Sequence, residues 1–166
     1  MKRLLLIPIV LCALILGVTP AGAEPPEEAS GEWAYAPDLG GITSRTAGNT
    51  TFLYGTEVST FTGTIVGTSN DDWVVVCHQK GPESVMTSIR LTVEFTGEVA
   101  GRVGSFTMKA SGKQDSTVCA PVGATWYGKW VIIGGTGELA DLHGNGEWTG
   151  PDNIFKWGYT GKIHFD

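Results

Sequence analysis

Apolar and polar positions alternate along most of this chain with a period of two. Within 85–96, Val85, Thr87, Ile89, Leu91, Val93 and Phe95 fall on one face, opposite Met86, Ser88, Arg90, Thr92, Glu94 and Thr96. That pattern predicts a strand with one buried and one wet side. Phe155, Trp157, Tyr159, Ile163 and Phe165 alternate in the same way with Lys156, Gly158, Thr160, Lys162 and His164. So do Phe106, Met108 and Ala110 with Ser105, Thr107 and Lys109. In 124–133, Trp126, Trp130 and Ile132 oppose Tyr127, Lys129 and Val131. Further strands are predicted over 32–36, 51–67, 73–79 and 146–149, bounded by glycine or by Asn/Asp turns. Only 138–142 (ELADL) has the composition of a helical turn, and it is too short to carry a crossover between parallel strands. The expectation is therefore an all-β domain of about eight antiparallel strands with one short helical turn near 138–142. Such a set can form a sandwich or a closed β-barrel, and closure alone removes exposed edges. Glycines inside strands, at Gly63, Gly104, Gly128, Gly158 and Gly161, suit the sharp coiling of a barrel.

Composition agrees with the pattern. Glycine supplies 24 of 166 residues, about twice the usual share, without the three-residue period of collagen and among too many aromatics for disorder. The first segment reads differently. Lys2 and Arg3 precede an apolar run from Leu4 to Val18, and Ala21, Gly22 and Ala23 form a small-residue cleavage site, the layout of a secretory signal peptide over 1–23 cleaved after Ala23. With Pro8 inside it, the run falls short of the ~20 residues of a spanning helix, so the product is expected to be secreted and free of the membrane. Residues 24–30 (EPPEEAS) are acidic and proline-rich, as expected of a solvated, disordered linker, and 31–166 forms a single barrel domain.

Export changes the meaning of the cysteines. Cys12 leaves with the signal, and Cys77 and Cys119 remain as a pair expected to form a disulfide. The charge falls as well. Removing 1–23 takes two basic residues and no acidic ones from a formal net charge of −6, leaving −8. An acidic product without a basic stripe argues against a nucleic-acid partner.

Candidate chemistry is sparse. Gly135-Thr136-Gly137-Glu138-Leu139-Ala140 matches a dinucleotide fingerprint, but no full helix follows to face a pyrophosphate; the glycines are read as a tight crossing at the end of the barrel. Glu138 and His143 are weak candidates for acid/base catalysis if their turn points inward. No metal-ligand spacing joins His143 to His78 or His164, no GxSxG is present, and no cofactor or metal is expected. Arg90 and Glu94 share a strand face as an exposed pair. The stronger signal is aromatic. Phe106, Trp126, Trp130, Trp148, Trp157 and Tyr159 all fall on the inward parity, either filling the core or lining a pocket for a flat apolar ligand. An eight-stranded interior is just wide enough for either outcome.

Two segments, EFTGEVAGRVGSFTMKASG (94–112) and IGGTGELADLHGNGEW (133–148), together with SGEW (30–33) and FTGTIVGTS (61–69), resemble a bacterial family of small barrels of unknown function. Its fold is similar to allene oxide cyclase and the plant dirigent proteins. The resemblance implies an allene oxide cyclase-like, calycin-type barrel and no assigned activity. The function expected from the residues is binding of a small hydrophobic or aromatic ligand in the barrel interior. The alternatives are a cofactor-free cyclase or isomerase of allene oxide cyclase type, and a packed barrel serving as a structural or protein-interaction module, alone or as a homo-oligomer.

Overall fold

The computed structural model describes residues 25–114, 117–120, 125–151 and 155–166; the predicted signal segment and its cleavage site lie outside them. The described residues form nine strands: β1 (Glu27–Pro37), β2 (Thr43–Ala47), β3 (Thr50–Gly63), β4 (Ile65–Gly81), β5 (Ser84–Val99), β6 (Arg102–Gln114), β7 (Thr125–Gly137), β8 (Leu142–Pro151) and β9 (Lys156–Phe165). All pairings are antiparallel. Because β1 pairs with both β9 and β3, the hydrogen-bonded ladder runs through eight strands and returns on itself, with β2 as a short hairpin added to β3. Apart from these strands, one 3-10 turn, Leu39–Gly41, appears among the described residues; Asp38 caps it by accepting from the amides of Gly40 and Gly41.

The inward phase read from the alternation is the buried one. Thr87, Ile89, Leu91, Val93 and Phe95 are buried on β5, and Trp126, Trp130 and Ile132 on β7. At one end of the ring Ile65, Val99, Leu139, Leu142 and Phe165 form an apolar plug, with the Arg102 guanidinium 3.7 Å over the Phe165 ring.

The structure corrects several boundaries. The stretch expected as one strand over 51–67 breaks at Gly63 and Thr64, where Gly63 has φ +102°. β4 then runs unbroken through Ser69-Asn70-Asp71-Asp72, residues whose composition reads as a turn. Four residues of the expected linker, Glu27 to Ser30, belong to β1 instead: they pair with Ile163 to Thr160 of β9 and bury Ala29. The helical turn near 138–142 is a series of single i→i+3 bonds, from Leu139 N to Thr136 O and from Ala140 N to Gly137 O, without a helix. Phe155, expected to face inward, sits exposed in a turn at φ +51°.

Cross-strand rows explain the glycine excess better than coiling alone. One row reads Leu91, Ala110, Trp130, Gly146, Gly161, Ala29 across six strands. The Trp130 ring spreads over the two glycines beside it, so a Cβ at Gly146 would lie 2.0 Å from Thr160 O and 2.7 Å from Trp130 Cε2. Large rings flanked by small residues fill a narrow interior without voids. Gly146→Ala should therefore destabilise by about 2 kcal/mol, on the order of 5–10 °C in melting temperature. An unchanged melting curve would contradict this packing.

Candidate functional site

Bonding of the polar tips divides the aromatic interior into two parts. The Trp130 indole donates to Glu147 O and Thr160 O at 3.2 Å, and Trp148 donates to Lys129 O at 3.3 Å. The Tyr159 hydroxyl accepts from Ile65 N at 2.9 Å and donates to Thr62 O at 3.1 Å. Burial raises the pKa of this phenol against the opposing pull of the Ile65 and Thr64 backbone. Phe106 stacks on Phe95 with centroids 4.4 Å apart, and Trp126 is fully buried. Where Trp33, Phe61, Ile65, Met108, Trp130 and Tyr159 meet, the gap between them admits no water molecule. These rings are core. Of the six aromatics expected to line a pocket, only Trp157 has a buried polar atom without a partner among the described residues.

The second part was not expected. Trp33, Tyr35 and Trp73 are buried with their indole N–H or hydroxyl unpartnered among the described residues, like Trp157. Trp157 packs edge-on against Trp33 at 5.0 Å and lies 4.5 Å from Tyr35. β3 and β4 bring four polar side chains to the same interior, because Glu57 faces Asp71 and Ser59 faces Ser69 in register, and all four are buried. Tyr35 pairs with Ser59, and Glu57 stands opposite Pro37, the last residue of β1. β9 begins at Lys156, so Glu57, Tyr35 and Trp157 lie toward the same end of the ring, away from the Leu139 plug.

The electrostatics are unusual. Among the described residues no Lys, Arg or His is buried, so nothing basic offsets the two acids. Burial, and secondarily the charge of Asp71, push Glu57 up to about 8. Burial also raises Asp71, to about 6, although the Ser59 hydroxyl donates to Asp71 Oδ2 at 2.5 Å and the dipoles of Ser69 and Trp33 oppose the shift. Among the described residues Glu57 Oε1, Asp71 Oδ1 and Ser69 Oγ have no hydrogen-bond partner. Such atoms cost about 1–3 kcal/mol each when left bare. At neutral pH the site thus sets a protonated carboxyl beside an ionised one, between aromatic walls. That is a proton donor next to a proton acceptor, with no basic group to hold a phosphate.

The other predicted residues lie elsewhere. Glu138 is exposed, and its Oε2 accepts from Val103 N at 2.8 Å. His143 is exposed too, 2.9 Å from Asp166 and stacked on His164. Neither points inward. Cys77 and Cys119 are joined in a disulfide. Among the described residues no three His, Cys, Asp or Glu side chains gather as a metal site. The missed acids did carry a signal: Asp71 shares the phase of Trp73, Val75 and Cys77, and Glu57 that of Ser59 and Phe61.

Comparison with known proteins bears on fold and family. No curated protein matches the chain. A crystal structure of a DUF3224-family protein of unknown function from Shewanella oneidensis MR-1 superposes with a TM-score of 0.62 at 17% identity, covering 86% of this chain and 98% of the other. At that identity the likeness concerns the fold alone. The sequence signature of the family described as "Protein of unknown function (DUF3224)" matches residues 42–153, a span that holds Glu57, Asp71 and the two disulfide cysteines, Cys77 and Cys119, and the chain belongs to this family.

Proposed function

We propose that the strand ring is a closed barrel of allene oxide cyclase-like, calycin type, exported from the cell. In this reading it binds a small flat molecule with an apolar body and a hydrogen-bonding edge. The ligand seats against Tyr35, Trp73 and Trp157 and presents its polar edge to Glu57 and Asp71. One observation carries this reading: among the described residues the buried polar atoms without a partner, those of Gln114 apart, belong to the two acids and to Ser69, Trp33, Tyr35, Trp73 and Trp157, while the polar tips of Trp130, Trp148 and Tyr159 are all satisfied by backbone. Buried polar groups are normally paired, and an aromatic pocket with a few convergent polar groups is the usual form of a small-molecule site. Of the six aromatics expected to line a pocket, this reading keeps Trp157 and adds Tyr35 and Trp73.

The test is intrinsic tryptophan emission during titration with flat phenolics, terpenoids and fatty acids. Ring compounds bearing a hydroxyl or carbonyl should shift or quench the emission of the natural protein, and Asp71→Asn should weaken that response at least tenfold. A panel that leaves the emission unchanged throughout would overturn the proposal.

The paired carboxyls favour a second reading, a cofactor-independent isomerase. Asp71 would take a proton from one carbon of the ligand, the freed electron pair would shift the double bond, and Glu57 would deliver its proton at the far carbon. Proton exchange between the two acids then restores the starting state.

A further inference from the structure

The outer surface of the ring carries a separate feature. A groove of about 820 Å³ crosses the outer faces of β3 to β8, within the size range of small-molecule sites. Tyr54, Val74 and Val131 make its walls apolar, and Arg90, Lys109 and Lys129 place three cations in it. These are three of only eleven basic residues in a chain of net charge −6, so their gathering on one face runs against the overall charge.

Register explains how they converge. Arg90 pairs with Ser111 and Ser111 with Lys129, while Lys109 lies two residues from Ser111 on the strand between. Two strand spacings separate Arg90 from Lys129, roughly 10 Å, within the reach of their long side chains toward a single anionic group. The cations are not neutralised in place. Among the described residues the Arg90 guanidinium and the Lys129 ammonium have no ion-pair or hydrogen-bond partner. Among the described residues Lys109 Nζ donates only to the neutral Thr92 hydroxyl, at 2.6 Å. Glu94, expected beside Arg90, accepts instead from Thr107 Oγ1 at 2.9 Å. Asp72 lines the far wall on β4, and Glu147 faces Lys129 across β8 without closing an ion pair.

We infer that this groove is a second binding site, for a free long-chain carboxylate. The head group lies among Arg90, Lys109 and Lys129, and the chain lies along Val74, Val131 and the Tyr54 ring. A concave groove admits a single amphiphile, whereas a flat anionic bilayer could not enter it and would repel the acidic surface around it. The inference is independent of the interior site, since all three cations point outward.

Calorimetric titration of the whole protein with decanoate below its micellar concentration tests it. Decanoate should bind with an affinity that falls as salt rises, and decylammonium should not bind. The triple variant Arg90→Gln, Lys109→Gln, Lys129→Gln should lose at least tenfold in affinity while keeping its melting temperature, and Glu57→Gln should bind as the natural protein does. Absence of decanoate binding, equal binding by the triple variant, equal binding of decylammonium, or loss of binding in Glu57→Gln alone would each overturn the assignment. Sedimentation with phosphatidylglycerol vesicles, abolished in the triple variant, would reassign the groove to a membrane surface and overturn it likewise.

Discussion

Glu57→Gln should flatten the dependence of stability on pH. In the folded chain Glu57 titrates at about 8 and Asp71 at about 6, against ordinary values of 4.5 and 3.8. Both shifts are upward, so between the unfolded and folded values the native state holds more protons than the unfolded one, and stability falls as pH rises. The full stability is present below about pH 4 and is lost progressively through pH 6 and then pH 8. For Glu57 the loss is on the order of 5 kcal/mol, a large part of the ~5–15 kcal/mol of a small domain. Guanidinium unfolding at pH 4, 6 and 9 measures it. The natural protein should weaken at each step, and the Gln variant should lose most of the decline between pH 6 and 9. Asp71→Asn removes the neighbouring charge and should move the Glu57 transition to lower pH. Equal stability of the natural protein at pH 4 and pH 9 would mean that the two acids are not buried together.

Reduction of the Cys77–Cys119 disulfide is the other large effect expected. The bridge spans 42 residues of sequence, and loss of that loop constraint in the unfolded chain is worth about 4 kcal/mol. Cys77 is buried on β4, its sulfur 4.0 Å from the Thr87 hydroxyl of β5, so the bridge fastens 117–120 to the β4–β5 hairpin. The melting temperature should fall on the order of 10 °C or more after reduction, and the Cys77→Ala, Cys119→Ala variant should melt at the reduced value with or without reductant. A reduced protein that melts with the oxidised one would show that the bridge adds no stability.

How these elements read in the sequence differs from one to the next, for physical reasons. The inward phase of 85–96 was legible residue by residue, because the two-residue period is a property of each strand alone. The candidate site was largely hidden. Ser69-Asn70-Asp71-Asp72 has turn composition, so the local pattern splits the strand through it and leaves Ser69 and Asp71 outside the interior. What overrides that local preference is pairing on both sides, with β3 and β5, which holds the segment extended. Trp33 and Tyr35 were legible as members of a strand but not as parts of a site, since nothing local says which tryptophans find a backbone carbonyl.

The sequence by itself therefore determined an all-β antiparallel chain, the inward faces of its strands and the aromatic character of its core, since alternation and composition are written in neighbouring residues. Only the tertiary structure decided that β1 joins both β3 and β9, that Gly146 and Gly161 make room for Trp130, and that Glu57 and Asp71 meet without a buried cation. Each of these depends on register between strands far apart in the chain. A shift of one residue there turns every side chain to the other face, and no local pattern specifies it.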